Sequence, residues 1–337
     1  MGEEISPQTA RVLPVHRAAL LTAFATYLLI IVGGLVTSKG VGMSVPDWPT
    51  TYGYNMFLFP YSKWVGGIFW EHSHRLIASG VGFLTLILAG MIFWKEKRPW
   101  VRLLAVVAVV AVILQGVLGG LRVTLYKDQI GILHTALAQS FLGLLLVITA
   151  VTGRGFLAGK WMRDAAAPSL LRLGIAALIL TYFQLGIAAT IRHQHAPLAI
   201  RDFPTAYGTL FPDTSTAALT HINEERQHDR IAPVSAGQIH LQMTHRVGAV
   251  ALLLVVIAFV TRAVKVTPLG HWLRGWSLLW CGAILLQILL GGMTIWFNKA
   301  ADVATSHMAL GALLTAFTIL LVFRLYCAGL DTREGKS

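Results

Sequence analysis

The chain has 337 residues, of which 55% are hydrophobic and 12% charged, with a formal net charge of +12. Soluble domains are usually about a quarter charged, so half that share with a mean hydropathy of +0.67 excludes an ordinary cytosolic globule, and disorder with it. A basic balance suits nucleic acid, but this apolar content assigns it to the positive-inside rule of a membrane protein, with lipid rather than nucleic acid as partner.

Eight stretches reach the roughly 20 apolar residues that cross a bilayer. They are Ala18–Thr37, Gly67–Trp94, Leu103–Leu121, Gly131–Val151, Leu173–Ile191, Leu241–Val260, Leu278–Trp296 and Ala304–Tyr326. Being long and continuous, without period-2 alternation, they predict helices and not barrel strands. With the N-terminus inside, 16 of the 27 Lys and Arg residues fall on the inner side, from Arg11 and Arg17 through Lys95, Arg163 and Arg262 to Arg333 and Lys336. Both termini are therefore expected in the cytoplasm. The short N-terminal tail, with Glu3 and Glu4, has neither a transit-peptide nor a signal-peptide pattern, so a bacterial plasma membrane is the expected location.

The chain repeats itself. Gln115 to Gly120 (QGVLGG) recurs as Gln287 to Gly292 (QILLGG), His74-Arg75 as His245-Arg246, and His134 as His307, at offsets of 172, 171 and 173. The Asp47-Trp48-Pro49-Thr50 segment resembles Asp202-Phe203-Pro204-Thr205 at a smaller offset, because a longer loop follows in the second half. The expected fold is all-α, an integral membrane protein of eight transmembrane helices arranged as two tandem pseudo-symmetric four-helix bundles. Each half has an even number of spans, so the two run in the same direction. The expected divisions are a cytoplasmic tail (1–17), an N-terminal half (18–152), a cytoplasmic linker (153–172), a C-terminal half (173–326) and a cytoplasmic tail (327–337).

Ionisable residues inside a membrane are costly and point to function. His74, His134, His245 and His307 all lie one or two turns from the outer ends of their spans. One such histidine alone more often packs or hydrogen-bonds than ligates. Four at repeat-related positions reverse that balance, and two imidazoles per half suit axial ligation of a heme iron. Copper or zinc would want further ligands in each half, and two cysteines, Cys281 and Cys327, supply no iron–sulfur or disulfide framework. His16, His193, His195, His221, His228 and His271 read as solvated residues outside the spans, with His240 open to either reading.

The halves differ at one telling place: Glu71, three residues before His74, aligns with Gln242 before His245. A carboxylate beside one iron site suits proton acceptance during substrate oxidation; pairing with Arg75 at i+4 is the plainer alternative. Arg75 and Arg246 are candidates for heme propionates or lipid phosphates. The two Gly-Gly pairs are expected to permit close approach of helices or of a macrocycle. Trp48, Trp64 and Trp70 read as an interfacial belt, and the Asp-aromatic-Pro-Thr segments as ordered loops over each site.

On Glu71-x-x-His74-Arg75, Asp47-Trp48-Pro49, His134, His245, His307 and the tandem eight-span plan, residues 18–326 resemble the heme A synthase family. The resemblance implies oxidation of the C8 methyl group of heme O to the formyl group of heme A in two steps. It implies heme b as cofactor on His245 and His307, heme O as substrate on His74 and His134, and Glu71 as the catalytic group. It also implies a role in cytochrome oxidase assembly, with heme O synthase and an electron-transfer protein as partners. Many bacterial members carry a cysteine pair in the first outer loop; this loop, about residues 38–66, has none. The rival readings are a di-heme cytochrome b-type electron carrier and a heme exporter. The second would need a polar path to the inner face, where these spans are almost purely apolar.

Overall fold

A computed structural model describes residues 7–161, 164–194 and 196–334. Arg163, His195, Lys336 and the Glu3-Glu4 pair lie outside the described residues, as does the side chain of Arg333. Among the described residues ten α-helices follow one another: α1 (Pro7–Ser38), α2 (Gly66–Lys95), α3 (Pro99–Thr124), α4 (Asp128–Val151), α5 (Arg154–Leu157), α6 (Ala167–His193), α7 (Thr216–His228), α8 (Ala236–Val266), α9 (Trp272–Trp296) and α10 (Ala301–Glu334). Eight of them, all but the short α5 and α7, are long and apolar enough to cross a membrane. The protein is thus an all-helical, multi-pass membrane protein.

The helices outrun the apolar stretches at most ends, and some of those ends carry their own stop signals. α2 ends where the buried carboxylate of Glu96 accepts from the Lys97 and Arg98 backbones and pairs with the Arg98 guanidinium at 2.6 Å. Desolvation works against the ionised Glu96, yet these Arg98 and Lys97 contacts hold its carboxyl below the usual range. α3 then opens on Pro99, whose missing N–H is no loss at a helix start. α8 opens with a reciprocal capping box between Ser235 and Gln238. The long connection before it contains α7, polar overall, pinned by buried Arg226 donating to the Ala232 and Leu198 carbonyls.

In the first bundle α1 packs on α2 and α4, and α3 on α2 and α4; in the second α6 packs on α8 and α10, and α9 on α8 and α10. The bundles meet through α1, α4, α6 and α10. Polar pairs stitch that interface within the membrane: the buried Thr315 hydroxyl donates to Gln139 Oε1 at 2.9 Å, and Ser140 meets Tyr182 at 2.8 Å. Arg192 donates to the Gly34 carbonyl at 2.9 Å. The lipid-side helices instead turn large apolar groups outward, Phe83 at 66% exposure and Leu279 at 69% among them. Thr315→Val should strand the Gln139 amide oxygen and cost about 1–2 kcal/mol, read as a lowered unfolding temperature in detergent.

Candidate functional site

Each half repeats one local design at the end of the bundle where the α1–α2 and α6–α8 connections lie. After α1 the chain turns back over the bundle, which leaves the Val45 N–H buried and in need of an acceptor. Glu71 on α2 supplies it, Oε2 accepting at 2.9 Å; in the second half Gln242 Oε1 accepts from the equivalent Ile200 N–H at 2.7 Å. Both side chains are buried. The aspartate that follows closes a tight turn. Asp47 accepts from the Tyr52 and Gly53 backbones at 2.7 and 2.9 Å, and Asp202 from Tyr207 and Gly208 at 2.8 and 3.0 Å. Tyr52 and Tyr207 hold positive φ in both turns. Burial alone would raise the Asp47 carboxyl. The Gly53 N–H, the Thr50 hydroxyl and the Tyr52 N–H outweigh it and keep the group below its ordinary 3.8. Asp202 is lowered in the same way, with Gly208, Thr205 and Tyr207 opposing burial.

The two arginines serve this loop. Arg75 donates to the Asp47, Thr50 and Val45 carbonyls and to Glu71 Oε1, the last at 2.7 Å. Arg246 donates to Thr205 and Asp202, each at 2.7 Å, and its guanidinium lies 5.5 Å from the Phe203 ring. The expectation of lipid phosphate at Arg75 gives way here, since its side chain is only 10% exposed and turned into the protein. The Glu71–Arg75 pair at i+4 is present.

The Gly-Gly pairs have a use that hydropathy did not reveal. A Cβ on Gly119 would meet the His134 ring at 3.4 Å and one on Gly291 the His307 ring at 3.1 Å. A Cβ on Gly120 would meet the Trp48 ring at 2.3 Å, and one on Gly292 the Phe203 ring at 2.8 Å. The first glycine therefore seats the histidine and the second the loop aromatic. The glutamine that opens each block donates to the carbonyl of the same histidine, Gln115 to His134 and Gln287 to His307, both at 2.9 Å. Gln184 on α6 does this for His245 at 2.9 Å. At the matching place in the first half, 155 residues earlier, stands Leu29.

His74 and His134 stand on α2 and α4, which are diagonal in the first bundle, and His245 and His307 on the diagonal α8 and α10 of the second. Neighbouring axes 8–10 Å apart put diagonal ones roughly 11–14 Å apart, room for a flat group between two imidazoles. All four rings are partly accessible, while Nδ1 of His74, His134 and His245 is buried without a hydrogen-bond partner. His307 Nδ1 meets the Gln287 carbonyl at 3.0 Å, the support that a ligating imidazole commonly has. Nε2 is left as the available nitrogen. Among the described residues no three His, Cys, Asp or Glu side chains gather to hold a metal ion. Two nitrogens per half fit a macrocycle that brings its own equatorial ligands and do not fit tetrahedral zinc.

Several residues depart from their sequence reading. His193 is buried at the end of α6, over Gly131 of α4, and not solvated. His16 bonds the Thr149 carbonyl at 2.8 Å and His271 caps α9. His221 and His228 are exposed, as expected, and His240 reaches Thr214 at 2.9 Å. Trp64 packs 4.6 Å from the ring of the fully buried His72, which also meets the Thr51 hydroxyl at 3.2 Å. The sequence offered only adjacency to His74 as a signal for His72.

Residues 16–319 match the model of a family described as cytochrome oxidase assembly protein. The chain belongs to the heme A synthase family of these assembly proteins. It is 26% identical to the heme A synthase of Shouchella clausii, covering 90% of this chain and 94% of the relative. It is 25% identical to that of Shewanella oneidensis (90% and 93%) and 29% identical to that of Bacillus licheniformis (91% and 92%).

The loop aspartates give this family member an acid limit. Their folded carboxyls lie below the ordinary value of 3.8, so the stability they add is complete above that pH and is lost as pH falls through the lower folded values. Thermal unfolding from pH 7 to pH 3 should show this loss in the wild type. An Asp47→Asn, Asp202→Asn double variant should be less stable at pH 7 but shallower in its acid slope; an unchanged slope would remove these groups from the acid response.

Proposed function

We propose that the protein is a heme A synthase, an oxidoreductase that converts the C8 methyl group of heme O to the formyl group of heme A in two successive steps. The observation that carries this reading is the repeated bis-histidine design with a difference in ionisable character, Glu71 in the first half against Gln242 in the second. Both side chains make the same bond to the loop, so the loop alone does not require a carboxylate. What Glu71 adds is charge and a proton site, next to the first histidine pair only.

In this reading His74 and His134 hold the iron of heme O, and His245 and His307 hold heme b. Bound heme b would take up electrons one at a time and pass them to an acceptor outside the protein, two electrons and two protons leaving in each step, with water supplying the oxygen. Glu71, three residues before His74 and so on its face of α2, accepts a proton released at the oxidised methyl. Its Oε1 meets the side chain of Arg75 at 2.7 Å and its Oε2 the Val45 N–H, and the second bond keeps the loop in place. Arg246 has one buried donor, Nε, without a partner, and is the stronger candidate for a propionate. The two halves, 18–152 and 173–326, serve as substrate and cofactor units. The excess of Lys and Arg at the other end of the bundles supports cytoplasmic termini and histidine sites near the outer face.

Two measurements test this. Glu71→Gln should keep the fold and both hemes, because an amide already makes the loop bond in the second half, and should lower product formation by about 10²-fold or more; full conversion to heme A would exclude a proton-accepting role. Hemes extracted from the purified protein should comprise heme b together with heme O, its hydroxylated intermediate or heme A, and His307→Ala should remove the heme b alone. Heme b only, at two per chain, would make the protein a di-heme electron carrier.

A further inference from the structure

At the end of the second bundle away from the histidines, the linker after α5, the start of α9 and the last turns of α10 line an open cleft of about 410 Å³. Its lining includes Lys160, Trp161, Asp164, His271, Trp272 and Arg324. Arg324 is its centre. Its guanidinium carbon lies 3.5 Å from the Trp272 ring centroid, 5.0 Å from that of Trp276 and 4.9 Å from that of Trp161. Three indoles therefore fix its plane, each contributing cation–π attraction. Yet the group makes no hydrogen bond to any described residue, and its Nε is buried without a partner. An arginine has five N–H donors and normally spends them when sheltered.

The nearby carboxylate does not take them up. Asp164 Oδ2 accepts from the Trp272 indole N–H at 2.9 Å and faces His271 Nε2 at 3.3 Å, while Oδ1 accepts from the Ala166 N–H at 3.0 Å. His271 Nδ1 accepts from Leu273 N, so its Nε2 carries the proton that Asp164 receives. The aspartate is satisfied by these neutral donors. Arg324 keeps its charge and its planar fork for something else, with Lys160 on the same wall. The cleft sits where the spans Ala167–His193, Trp272–Trp296 and Ala301–Gly329 begin or end, the depth of lipid headgroups, where tryptophan rings also prefer to lie.

We propose that this cleft binds the phosphate of an anionic phospholipid headgroup, with Arg324 giving the phosphate two parallel N–H donors and the indole cage excluding water around them. A zwitterionic lipid presents the same phosphate with an ammonium group, which the Arg324 charge would repel. Arg324 is 17 residues beyond His307 on α10, about 25 Å along the helix, so the ligand does not touch the heme sites and the proposal stands apart from the function assigned above.

The test uses the purified full-length protein with its hemes, in detergent. Native mass spectrometry should show phosphatidylglycerol retained in preference to phosphatidylcholine, and added phosphatidylglycerol should raise the unfolding temperature by about 2–4 °C. Arg324→Gln should abolish both effects while leaving the heme absorption spectrum unchanged, and Arg324→Lys, which keeps the charge, should restore part of the retention. Equal retention of the two lipids, or undiminished phosphatidylglycerol binding by a folded Arg324→Gln protein, would overturn the proposal. Stabilisation by inorganic phosphate with no further gain from phosphatidylglycerol would overturn the lipid as the source of that phosphate.

Discussion

One buried backbone amide in each half governs the rest of the histidine end. The segment leaving α1 or α6 must fold back over the bundle, and the Val45 or Ile200 N–H goes into the protein with it. In so apolar a setting an unmet N–H is expensive, and the acceptor comes from the helix that also carries the histidine. Loop and histidine helix are tied at that point. The arginine one turn further along then holds the loop carbonyls, the aspartate closes its turn, and the aromatic beside that aspartate settles on the second glycine of the facing helix. The position of each imidazole follows from a chain of contacts that starts at a single hydrogen bond.

The same economy of polar contacts explains how the bundles join. Lipid tails offer apolar side chains no reason to leave them, so helices associate through close packing and hydrogen bonds. α1, α4, α6 and α10 accordingly carry Gln139, Ser140, Tyr182, Arg192 and Thr315, each with a partner on the other bundle. α2, α3, α8 and α9 present leucine, valine and phenylalanine to the bilayer.

Much of this was legible in the sequence. Eight spans followed from hydropathy, and the four histidines, Glu71, Gln242 and both arginines from the internal repeat, because repetition marks positions that hydropathy treats as ordinary. What escaped was whatever depends on partners distant in the chain. That the arginines also hold the loop was not legible, because nothing local shows that carbonyls 25 to 44 residues away will take donors from them. His193 looked like a loop residue because α6 continues past its apolar stretch and buries it against another helix. The glycine pairs were recognised, but that one glycine serves an imidazole and the other an indole required the fold. α7 was missed because its low hydropathy and its length resemble those of a loop.

The backbone clamps on the histidines are unevenly shared. The carbonyls of His134, His245 and His307 each receive a side-chain amide from an adjoining helix, whereas that of His74 receives none among the described residues, Leu29 standing where its glutamine would be. The residue on the next turn differs too, Gly248 lying against Gln184 where the first half has Ile77. The second bundle is therefore clamped through backbone carbonyls on both sides of its histidine pair, and the first on one side only. On α2 the side-chain bonds beside His74 run to the loop, through Glu71, His72 and Arg75. The register of His74 thus depends on the loop, where that of His245 has a second anchor on α6.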